Sequence, residues 1–158
     1  VSTVWLENNI KKVKIFDATW HMPSSKRKAK KEYTDSLFNS SVISLNKLIN
    51  IHPESAYAAE SMYLLHKIYL NEYEEYDLSI AFLDNIIERF PENELAKKSL
   101  FTKGYVYSNH LSSYTDAYIA YNEFVSKYPN DELVPSAEYE IEGLKSFILD
   151  VENLLNKK

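Results

Sequence analysis

The sequence predicts an all-α protein, an α-solenoid of about three helical hairpins preceded by a short segment outside the array. Three observations lead there. Ile51-His52-Pro53 recurs as Arg89-Phe90-Pro91 and again as Lys127-Tyr128-Pro129, a constant step of 38 residues. Helix breakers are scarce, with glycine only at Gly104 and Gly143. Between the prolines, apolar residues return every three to four positions, the spacing that gathers them on one side of a helix.

The first segment, 1–25, lies outside the period, and 26–158 forms the repeat domain. Within the first, Trp5, Leu6 and Ile10 suit one side of a short helix over 1–9. Residues 12–19 alternate Val13 and Ile15 against Lys14 and Phe16, a pattern of β-branched and aromatic residues that suits one β-strand. Residues 20–25 read as a loop. A helix start follows at Lys26, with Ser24 or Ser25 as its cap. Tyr33, Leu37, Val42, Leu45 and Leu48 carry this helical phase to Pro53. Helices are then expected from Pro53-Glu54-Ser55 through Tyr69, from Tyr76 to Arg89, from Glu94 to Asn109, from Thr115 to Tyr128, and from Glu132 to Asn156.

Superposing the chain on itself at the 38-residue step aligns Ser41, Ser79 and Ala117, small residues suited to close helix approach. It also aligns Leu45, Leu83 and Tyr121; Leu48, Ile86 and Phe124; Ala58, Ala96 and Val134; and Tyr63, Phe101 and Tyr139. Of the thirteen Tyr and seven Phe, those at Tyr69, Tyr107, Tyr121, Phe124 and Tyr128 are expected in the core. A tyrosine hydroxyl there can reach the edge of the array. Ile141, Leu144, Ile148, Val151 and Leu155 make a heptad-like stripe on the last helix, suited to closing the array or to self-association.

Charge and composition exclude several functions. The net charge of −5 argues against a general nucleic-acid binder. The charge is unevenly spread: residues 1–38 hold eight Lys/Arg against four Asp/Glu, and 39–158 hold ten against nineteen. The basic run Lys26 to Lys31 suits a solvated helix start or contact with acidic surface. With no cysteine, disulfides, thiolate metal sites and thiol catalysis are excluded. No apolar run reaches the roughly 18 residues of a membrane span. His21, His52, His66 and His110 lack metal-ligand spacing and are expected at surface or boundary positions. Glu72, Glu74, Glu75 and Asp77 lack the alternation and glycine of a calcium loop. No catalytic residue, metal or cofactor is expected.

Two families resemble parts of the chain. Val1-Ser2-Thr3 with Trp5-Leu6, Lys14-Ile15-Phe16-Asp17-Ala18-Thr19-Trp20, Pro23, Arg27, Ala29, Glu32 and Tyr33 resemble the N-terminus of the thiosulfate/3-mercaptopyruvate sulfurtransferases, the rhodanese family. The match stops near Asp35-Ser36, and the family's catalytic cysteine loop has no counterpart. The resemblance implies a truncated or fused sulfurtransferase start without its chemistry. Residues 35–150 resemble tetratricopeptide repeats, through Gly104 and Tyr107 in one helix, Ala117 and Tyr121 in the next, and Pro129 at the exit. The period exceeds the family's usual length of about 34. His66 and Glu142 depart from the glycine at 104, and Lys103 stands where leucine is common. Tyr76 to Ala96 is most similar to the repeats of bacterial envelope proteins, such as outer-membrane assembly lipoproteins and the Tol–Pal cell-division coordinator. That implies a periplasmic or outer-membrane-associated setting; a chain complete as it stands would be cytoplasmic.

The tetratricopeptide resemblance also implies a binding face. The first helix of each pair lines a groove in that family, which here places Glu60, Tyr63, Lys67 and Asn71, then Lys98, Phe101, Tyr105 and Asn109, along it. Rings with interspersed Lys and Asn suit an extended peptide or protein partner, Lys pairing with carboxylates and Asn with backbone. The expected function is a non-catalytic interaction scaffold. The alternatives are the sulfurtransferase remnant and a structural oligomer joined by the strand at 12–19 or by the last helix.

Overall fold

The structure is a computed structural model that describes residues 24–155, with side chains over 35–149. The helix, strand and loop expected within 1–23 lie outside the described residues. Every regular element among the described residues is helical: α1 Ser24–Ile51, α2 Ala56–Asn71, α3 Tyr76–Arg89, α4 Glu94–Asn109, α5 Tyr114–Lys127 and α6 Val134–Leu155. The protein is all-α, and its helices follow a repeat. Two compact units divide the chain between Ser44 and Leu45. Of the first, the structure describes the leading part of α1, where the Ser41 hydroxyl donates to the Leu37 carbonyl at 2.9 Å.

The second unit carries the 38-residue repeat as conformation. α2 and α4 have 16 residues each, and α3 and α5 have 14 each. The turns that lead into α2, α4 and α6 repeat bond for bond. Ser55, Asn93 and Asp131 donate their amides to the carbonyls of His52, Phe90 and Tyr128 at 3.2, 2.9 and 3.1 Å. The prolines at 53, 91 and 129 are the second residues of these turns, where their fixed φ suits the backbone. The turn residue then caps the next helix. Ser55 Oγ accepts from the Ala58 amide, Asn93 Oδ1 from Leu95 and Asp131 Oδ1 from Leu133. The Leu133 amide bond holds the Asp131 carboxyl below its ordinary pKa.

The other turn also repeats. Glu72 and Tyr73 donate to the Ile68 carbonyl and Glu75 to Tyr69, as His110 and Leu111 do to Val106 and Ser113 to Tyr107. Glu74 and Ser112 take φ of 55° and 52° there. This is the left-handed region where glycine is the usual choice after a helix.

From α2 to α6 each helix packs on the next, and α2 also meets α4. Met62, Tyr63, Leu83 and Ile86 form one cluster, joined by Ile49 and Phe90. Leu100, Ala117, Tyr121, Phe124, Ala137 and Leu144 form another, with Ile141 against it. Leu70, Ile80 and Val106 bridge the two hairpins. Burying Tyr121 and Phe124, at 1% and 0% exposure, contributes on the order of 2–3 kcal/mol each. Tyr69, Tyr107 and Tyr128 are half-buried beside them. Small residues fill the tight positions: Ser61, Ser99 and Ala137, each 38 apart, are all fully buried.

α6 differs from α2 and α4 on one face. Met62, His66 and Tyr69, and likewise Leu100, Gly104 and Tyr107, meet the helix that follows. The matching α6 positions are Glu138, Glu142 and Lys145, all exposed. Among the described residues no helix is long and apolar enough to cross a membrane.

Candidate functional site

Helices α2 and α4 carry the sequence-predicted residues, and the two helices meet through Lys98 and Tyr63. Tyr63 packs its ring into the α2–α3 cluster, leaving 9% of its surface exposed. Two cations flank that ring: Lys67 Nζ lies 5.2 Å from its centroid and Lys98 Nζ, from α4, lies 5.5 Å away. Each such contact contributes about 0.5–1 kcal/mol at an exposed site. Neither ammonium has a carboxylate within 4 Å among the described residues. Both lysines are exposed, as is Glu60 on the preceding turn of α2.

One helical turn further along α4, Phe101 is half-buried, edge-on to Tyr121 and Phe124 at centroid distances of 5.4 and 5.5 Å. Tyr105 is 45% exposed, with its ring 5.6 Å from that of His110. Asn71 and Asn109 are exposed at the ends of α2 and α4. Each donates its side-chain amide to the carbonyl four residues back, Lys67 O at 3.0 Å and Tyr105 O at 3.1 Å. Each side-chain amide is thus engaged within its own helix. The arrangement brings together Tyr63, Lys67 and Lys98. Phe101 spends most of its surface on packing, and Tyr105 is the exposed ring of the set.

The expectation that His66 lies at a surface or boundary position is corrected by the structure. His66 is 1% exposed, and its Nδ1 shares a 2.8 Å hydrogen bond with the fully buried Ser79 Oγ. The 38-residue register places it at the inward position of Gly104, and the serine offsets part of the cost of burying the ring. Burial, and then the neighbouring Lys67 charge, lower its pKa to about 4, against the smaller opposing effect of Ser79. A histidine beside a serine is also the pairing of nucleophilic catalysis, but packing encloses both groups and leaves no approach to the hydroxyl.

Sequence reasoning also missed the bond from Lys103 Nζ to Asp84 Oδ1, 2.6 Å across α4 and α3. Burial works to lower the lysine pKa, yet hydrogen bonding and the Asp84 charge together raise it. Nor did it find Arg89, whose Nη2 donates to the Pro53 carbonyl at 2.8 Å and ties successive turns together. Among the described residues no cluster of His, Asp and Glu is placed to hold a metal ion. No protein-family model matches the chain, and no curated protein matches it.

Proposed function

We propose that this protein is a non-catalytic interaction scaffold of tetratricopeptide-like repeats that binds an extended peptide or protein segment along α2 and α4. The observation that carries the reading is the Tyr63 ring with the exposed lysines Lys67 and Lys98 at 5.2 and 5.5 Å from its centroid, neither of them ion-paired among the described residues. Tyr105 adds an exposed ring about two turns beyond Lys98, and Asn71 and Asn109 are exposed at the helix ends. Tyr63 and Phe101 form the floor of the face, and Lys67, Lys98 and Tyr105 touch the partner. Buried Tyr and exposed Lys in this order suit a segment with main-chain donors and carboxylates.

The test uses peptides enriched from a random displayed library on the immobilised protein. Lys98→Glu with Tyr105→Ala should weaken their binding at least about tenfold, the sum of one charge contact and one ring contact, while far-ultraviolet circular dichroism stays unchanged. Unchanged affinity in that double variant, or failure to enrich any peptide, sinks the proposal. Phe101→Ala is the contrasting control: it should lower the melting temperature, because its ring packs on Tyr121 and Phe124.

A further inference from the structure

The exposed surface of α6 carries a feature that the face on α2 and α4 lacks. Tyr139 is 80% exposed and Phe147 46% exposed, two turns apart on the same side of the helix. Gly143 lies midway, and a Cβ added there would meet nothing within 4 Å. The two rings therefore stand at either end of a notch whose middle holds only backbone. Tyr114, at the start of α5, packs its ring 4.4 Å from that of Phe147 and forms the wall. The depression has a volume of about 560 Å3.

Two carboxylates belong to it, those of Glu140 and Glu142. Neither has a basic group within 4 Å among the described residues, and Lys145, on the same helix, pairs with neither. This combination selects among occupants. An anion would meet two negative charges and the negative faces of the rings. A purely apolar side chain would strip water from the carboxylates without replacing it. A cation on an alkyl stem satisfies every wall: the stem lies over Gly143 between the rings, and the charge reaches the carboxylates.

We propose that the notch lined by Tyr114, Tyr139, Glu140, Glu142, Gly143 and Phe147 docks a lysine or arginine side chain from a basic partner segment. This goes beyond the reading of α2 and α4 and does not rest on it.

Glycine amides supply the readout, since the chain has only two and Gly104 is enclosed against Tyr121. Nα-acetyl-lysine methylamide is titrated into the 15N-labelled protein, and Nα-acetyl-norleucine methylamide serves as the uncharged match. The expected result is a saturable shift of the Gly143 amide with the lysine compound, none at Gly104, and none with norleucine. Glu140→Gln with Glu142→Gln should weaken the lysine response about tenfold and Tyr139→Ala about threefold. Lys98→Glu with Tyr105→Ala should leave it intact, so failure here and failure of the α2–α4 face are read separately. An unmoved Gly143, an equal response to norleucine, or full binding after loss of both carboxylates overturns the proposal. So does a dimer in sedimentation that Tyr139→Glu dissolves, for the notch would then be covered by a second copy.

Discussion

The hairpins α2–α3 and α4–α5 share helix lengths, turn bonds and capping positions, yet solve the same packing problem in opposite ways. In the first, His66 of α2 is buried and shares a hydrogen bond with Ser79 of α3, and Leu83 stands at the 38-residue counterpart of Tyr121. In the second, α4 offers Gly104, and α5 supplies the bulk through Tyr121 with Ala117 at the matched small position. The ring comes from the first helix in one hairpin and from the second in the other. A Cβ on Gly104 would lie 2.8 Å from Tyr121 Cε1, and Tyr121 is too enclosed to retreat. Close packing at an interhelical position needs a bulky side chain, and either helix can provide it.

The largest expected effect separates the hairpins by pH. His66 has its folded pKa lowered from 6.5 to about 4, so below pH 6.5 the unfolded chain takes up a proton that the folded one does not. Its stabilising contribution is whole above pH 6.5 and is lost as pH falls toward 4, by up to about 3 kcal/mol. Chemical denaturation at stepped pH should show a steeper loss for the native chain than for His66→Asn. Parallel profiles would mean that the ring protonates freely in place.

Gly104→Ala comes next, with an expected cost of about 1–2 kcal/mol once the better helix propensity of alanine is deducted. Tyr121→Leu, the residue the first hairpin uses, destabilises alone by leaving a gap. Combined, the two should cost less than their sum by about 1 kcal/mol in a double-mutant cycle. Strict additivity would show that the volume exchange is incidental. The smallest effect should be equal in both hairpins. Replacing Glu74 or Ser112 by glycine relieves a left-handed backbone and should stabilise by a few tenths to about 1 kcal/mol. Unequal gains would show that the two turns are less alike than their bonds suggest.

Much of this fold was legible. The prolines fixed the period, and α3 and α4 begin and end where the sequence places them, because turn chemistry and helical spacing agree there. α1 was less so: it starts at Ser24, ahead of the expected Lys26, because serine suits a cap and a first turn alike. The period sets His66 at the place of Gly104, but its burial was hidden because the residue type by itself suggests surface. Paired with Leu83, and set beside Gly104 with Tyr121, the exchange of bulk was in the sequence to be found. The left-handed Glu74 and Ser112 had no signal, since neither residue favours that conformation. On the candidate face, the period could place Tyr63, Phe101 and Tyr105 on first helices but could not divide floor from surface. That division depends on how far each ring tilts toward the helix behind it.

The packing of each helix on its immediate successors has a kinetic consequence. Few native contacts join residues distant along the chain, so little loop-closure entropy stands between the unfolded chain and its first stable hairpin. Such a topology belongs with the low-contact-order folds that form in microseconds to milliseconds. Either hairpin can serve as the nucleus, with the other growing from it. Gly104 against Tyr121 and His66 against Ser79 are then alternative starting points, and acidity would select between them.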